Sequence, residues 1–240
     1  MRYDEYLRTF LQLEQQLCDL MGELPYESGT ENVNSSRMNL ILLSTCPVVE
    51  SYIKQTAVRS PAVHAHALWT WEYAWRIWDH EGRANDRRLK YTTSNERILS
   101  GNFPKFAYVA EEVFSVSSRT IQLYRYNSVK HVPGFADAIE ILQPFESVES
   151  FKSFHDYDGT GNFPRGYNTP QWWDAYNKIK HEMDLSGGKA TYSAVVNALA
   201  AFFLCLAYCN PDMMVLNANG FVRQEGMASS METRVFRAVL

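Results

Sequence analysis

The stretch Thr169–Asn210, "TPQWWDAYNKIKHEMDLSGGKATYSAVVNALAAFFLCLAYCN", holds two helices of opposite character separated by a Ser-Gly-Gly break. At about 100° per residue, the first has two sides. Trp172, Trp173, Tyr176, Ile179 and Met183 fall on one; Asp174, Asn177, Lys178 and His181 fall on the other. Tyr176 and Lys180 meet at the boundary. Thr169 suits the cap of this helix and Pro170 its first position. The second helix is apolar on every side and ends near Asn210-Pro211. With Asn197 in mid-run and a length that barely spans a bilayer, it reads as a buried core helix and not as a membrane span. A helix wet on one face beside one that is buried all round points to a mainly α fold.

The rest of the chain extends this pattern. From Tyr3 to Leu24, apolar residues at Leu7, Phe10, Leu11, Leu17, Leu20, Met21 and Leu24 recur at helical spacing, with Glu14, Gln15 and Asp19 opposite. A polar break, "PYESGTENVNSS", follows, and Asn34 or Ser35 can cap a second helix over about Arg37–Val58. Pro47 either kinks that helix or restarts it after Thr45. Glu50 and Lys54, one turn apart in the favourable order, suit a surface ion pair. In residues 100–160, "FPKFAYVAEEVF" suggests a short helix, while "RTIQLYRYN" and "AIEILQPF" have the alternation of short strands and a small hairpin. From Met213 onward no element is predicted, and the last residues read as a mobile tail.

Composition narrows the function classes. The chain has 240 residues, 46% hydrophobic and 21% charged, with a formal net charge of −4, so nucleic acid would have to be met by a local patch. One basic cluster exists, Arg83, Arg87, Arg88 and Lys90. It reads either as a solvated loop or as a nucleic-acid contact. Just before it, Trp71, Trp75 and Trp78 share a helical face, which is a packing stripe or a platform for a partner. The four cysteines, Cys18, Cys46, Cys205 and Cys209, lack zinc-site spacing, so neither a metal nor a cofactor is expected. The acidic N-terminus and unpaired cysteines fit a cytoplasmic protein with no membrane contact.

The polar side of the Gln171 helix gathers groups that can act on RNA. Asn177 and His181 lie one turn apart, with Lys178, Lys180 and the Tyr176 phenol beside them. An imidazole can take or give a proton, and an ammonium can stabilise the charge that develops on a phosphorane. RNA supplies its own nucleophile, the 2′-hydroxyl, so an acid/base and a cation are enough. The bland alternative is an ordinary wet helix face.

The pattern W-W-x-x-Y-N-x-x-K-H, from Trp172 to His181, followed by "ATYSAVVNALAAFF", resembles the HEPN superfamily. So does the upstream "RMNLILLSTCPVVESYIK", in which Glu50 and Lys54 close the helix. The resemblance covers about residues 1–58 and 165–210. It implies a single helical-bundle domain over 1–240, with residues 60–160 as an irregular or β-hairpin insertion between its halves. Many members are metal-independent ribonucleases of prokaryotic toxin–antitoxin, CRISPR and antiviral defence systems. Their signature places an Arg four to six residues before the His, often followed by a polar residue. His181 matches the His and Asn177 the polar residue, but the Arg position is Tyr176, Ala175 or Asp174 according to the spacing. Arg59/His64 and Arg125/His131 meet the bare spacing, which chance also supplies in a chain with 6 His and 23 Lys+Arg.

Two functions follow from the resemblance. One is RNA binding or cleavage, with His181 as acid/base, Asn177 orienting, Lys178 or Lys180 on the phosphate, and a homodimer pairing two motif helices. The other is a catalytically inactive scaffold that holds a partner protein through the motif helix or the Trp71/Trp75/Trp78 face.

Overall fold

The computed structural model describes residues 2–59, 110–111, 114–128, 138–149, 169–182, 190–226 and 228–240. It is mainly α, with a small antiparallel sheet. Helix α1 spans Tyr3–Glu23 and α2 spans Ser36–Arg59. Then come a 3₁₀ turn at Val116–Ser118 and strands β1 (Ile121–Leu123) and β2 (Glu140–Leu142). Helices α3 (Gln171–Glu182), α4 (Tyr192–Tyr208) and α5 (Met213–Ala218) follow. Strands β3 (Val222–Glu225), β4 (Ala228–Glu232) and β5 (Phe236–Val239) end the chain.

The apolar rod is the centre of the molecule. Helix α4 packs against α1, α2, α3 and β5. Its Val195, Leu199, Phe202, Phe203, Leu204 and Leu206 are all fully enclosed. Each such side chain contributes about 1.5–3 kcal/mol by leaving water. No helix among the described residues is long and apolar enough to cross a membrane. Phe10 of α1 meets Phe202 edge-on at 5.6 Å, and Phe203 stacks on Phe236 of β5 at 5.7 Å. The helices and the sheet therefore share one aromatic core.

Local chemistry sets the helix ends. The Glu5 carboxylate accepts from the Arg2 amide at 2.6 Å at the start of α1. Ser35, one of the two candidate caps, accepts from Met38 N at 3.2 Å. Thr191 caps α4 by accepting from Ala194 N at 3.2 Å. Helix α2 runs through Pro47 without a restart. Thr45 is not a cap there, since its hydroxyl donates to Ile41 O at 2.7 Å. The α1–α2 loop grips the start of α4, with Tyr192 N donating to Val33 O at 2.8 Å and the Tyr192 hydroxyl to Leu24 O at 2.9 Å.

The structure corrects two expectations. From Met213 onward, where no element is predicted and only the last residues read as mobile, the chain forms α5 and three strands, the last ending at Val239. The expected pairing of the two short strands exists, with Gln122 opposite Ile141. β1 pairs with β5 in a sheet of order β2-β1-β5-β4-β3, which joins the middle of the chain to its end. Glu14, placed by periodicity on the wet side of α1 with Gln15 and Asp19, is fully buried. It accepts from the Thr233 hydroxyl at 2.5 Å and from Val235 N at 3.1 Å, pinning the β4–β5 turn to α1. The predicted helix over "FPKFAYVAEEVF" falls mostly outside the described residues, as do Trp71, Trp75, Trp78 and the basic cluster.

Candidate functional site

Helix α3 is locked from one side. Pro170 O accepts from Trp173 N at 2.9 Å and from Asp174 N at 3.1 Å, so the cap falls one residue later than Thr169. The Thr169 hydroxyl instead bonds the Asp174 carboxylate. Trp172, Trp173, Tyr176 and Ile179 are buried against α2 and α4, as the two-sided reading requires. The Trp172 indole donates to Pro144 O at 2.7 Å and meets Phe145 edge-on at 5.7 Å, which ties α3 to the turn after β2. The Trp173 ring lies 5.0 Å from that of Tyr176.

On the outer side, Lys178, Lys180 and His181 are exposed and Asn177 is half-buried. Asn177 and Lys178 stand one turn before His181, the spacing at which side chains of a helix are neighbours. Among the described residues, none forms a hydrogen bond or ion pair with the side chains of Asn177, Lys178 or His181. The Lys180 ammonium lies 5.7 Å from the Tyr176 ring centroid, within cation–π range.

Tyr176 stands apart from these four. It is only 6% exposed, and its phenol is held above the usual range by burial, with Cys46 and Glu50 of α2 adding to it. At the first of the three positions weighed for an arginine, five residues before His181, the chain thus places a buried ring. The other two spacings give half-buried Ala175 and Asp174 bound to Thr169, and neither is a cation. The Glu50–Lys54 pair forms at 2.6 Å, but its side chains are only 23% and 18% exposed, so it is more covered than a surface pair.

Clefts open elsewhere among the described residues. One of about 390 Å³ lies where α1, α2 and the end of α4 meet. Another, of about 550 Å³, lies between α1 and the β3–β4 hairpin and is lined by Arg223, Arg234 and the buried Glu14. A third, of about 370 Å³, gathers Tyr26, Glu31, Arg125 and Glu140. None is lined by the outer residues of α3. Helical periodicity could not reveal these clefts, because each takes its walls from segments far apart in the chain. Compared with known proteins, the chain matches no family model, no curated protein and no solved structure.

Proposed function

We propose that this chain is a HEPN-like protein whose outer α3 face contacts the RNA backbone. The carrying observation is the set of exposed Lys178, Lys180 and His181, with Asn177 beside them, on a helix whose opposite face is buried. Because the indoles fix the rod, the polar groups are presented from a rigid base, which lowers the ordering cost of binding. The two ammonium groups meet phosphates as point charges. His181 is placed to exchange a proton with a 2′-hydroxyl, and Asn177 to orient it. With Tyr176 inside the bundle, one α3 has no guanidinium for the phosphorane. Binding is therefore the primary activity, and metal-independent cleavage requires a second α3 across a dimer. A role in prokaryotic defence or a toxin-type system follows from the resemblance alone.

The test uses mixed RNA with chelator present. The parent should retard RNA at low salt. Lys178→Ala with Lys180→Ala should weaken binding and reduce the slope of log affinity against log salt by about 2. If the parent cleaves, His181→Ala should abolish cleavage while retaining retardation. A parent that neither retards nor cleaves RNA overturns the reading. The buried Tyr176 would then favour the catalytically inactive scaffold.

A further inference from the structure

The cleft between α1 and the β3–β4 hairpin, about 550 Å³, has room for a small organic molecule. Its lining has an apolar part and a charged part. Leu11, Phe221 and Val222 pack against the core yet keep part of their surface exposed, and that surface lines the cleft. Arg223 and Arg234 line it too, and both are exposed.

The arginines project from fixed backbone. Arg234 lies between two residues that both bond the buried Glu14, Thr233 through its hydroxyl at 2.5 Å and Val235 through its amide at 3.1 Å. Thr233 N also donates to Phe236 O at 3.0 Å, which closes the turn that carries Arg234. Arg223 lies on β3, opposite Ser230 of β4. Binding at these two side chains therefore carries little backbone ordering cost.

The cleft's carboxylates are engaged within the protein, and its guanidinium groups are open. Glu14 holds the turn, while Glu232 lies 3.1 Å from Arg237 and accepts from the Ser230 hydroxyl at 3.3 Å. Arg223 stands 4.0 Å from Glu232, beyond hydrogen-bond length. Among the described residues, none forms a hydrogen bond or ion pair with the Arg234 side chain.

We propose that this cleft binds a small amphipathic carboxylate, its head on Arg234 beside Arg223 and its apolar body against Leu11, Phe221 and Val222. A guanidinium fork matches a carboxylate with two parallel hydrogen bonds. A phosphate monoester brings close to two negative charges into a cleft that Glu14 and Glu232 also line, so a single charge fits better. An amine would find both carboxylates already bonded and two guanidinium groups opposing it. The outer residues of α3 do not line this cleft, so the site is independent of the RNA reading.

The experiment compares hexanoate, acetate, hexanamide and hexylamine by ligand-observed NMR on the full chain. Hexanoate should bind saturably and at least about tenfold more tightly than acetate, since each buried methylene adds roughly threefold. It should exceed its neutral analogue hexanamide by about five- to tenfold. Arg234→Gln, at an exposed position, should bring hexanoate down to the level of hexanamide. Hexanoate no tighter than acetate would reduce the site to a surface anion contact and overturn the proposal. No saturable binding, hexylamine binding as tightly as hexanoate, or an Arg234→Gln variant that binds hexanoate like the parent overturns it equally.

Discussion

Glu14 is the residue whose replacement most directly tests how the sheet is attached to the bundle. Its carboxyl is fully buried on α1 and receives Thr233 Oγ1 at 2.5 Å and Val235 N at 3.1 Å. In Glu14→Ala the Val235 amide loses an acceptor inside the protein, which costs about 1–3 kcal/mol. The vacated volume adds about 1 kcal/mol for its lost methylenes. A total near 3 kcal/mol is expected, or roughly 6–12 °C in Tm for a chain of this length. Glu14→Gln keeps an oxygen in place and should cost about half as much. The control is the next residue: Gln15 is half-buried and, among the described residues, its side chain bonds only Asp19, at 2.6 Å, so Gln15→Ala should stay within about 0.5 kcal/mol of the parent. Urea denaturation followed by circular dichroism measures all three. If Glu14→Ala unfolds at the same urea concentration as Gln15→Ala, the clamp between α1 and the β4–β5 turn does not hold the fold.

Trp172→Phe should destabilise by about 1–3 kcal/mol, because it removes the indole N–H bonded to Pro144 O at 2.7 Å and part of a fully packed ring. The same denaturation assay reads it, and a neutral result would mean that α3 is not tied to the turn after β2. All four cysteines are buried, and burial pushes the Cys46 and Cys205 thiols well above their usual range. Alkylation at pH 8 should therefore follow global unfolding; rapid labelling of folded protein would contradict the packing of α4. Burial raises the Glu140 carboxyl, with Glu31 adding to it and a Tyr26 hydrogen bond opposing it. Its folded pKa lies above the unfolded one, so the native state holds the proton longer and stability falls as pH rises through the carboxylate range. Glu140→Gln should remove that loss, becoming more favourable relative to the parent with rising pH in a denaturation series; the opposite slope would refute it.

The outer face of α3 was legible because a helix converts residue spacing directly into direction. Lys178, Lys180 and His181 are exposed and Trp172, Trp173 and Ile179 buried, as the 100° period requires. Tyr176 fell on the apolar side, next to the boundary with Lys180, and is buried there beside Trp173. Glu14 shows the limit: periodicity sees a polar residue on a polar side but not the turn that arrives to bond it.

Within local reach, the amino-acid order alone determined α1, α2, α3 and α4, a cap at Asn34 or Ser35, and the strand character of β1 and β2, since neighbours along the backbone decide each. The pairing of β1 with β5, the burial of Glu14 and the cleft between α1 and the β3–β4 hairpin belong to the tertiary structure. Strand partners, buried polar bonds and cleft walls come from segments far apart in the chain. Short strands at its end carry too few residues to declare themselves until a pairing edge and a core to cover are present.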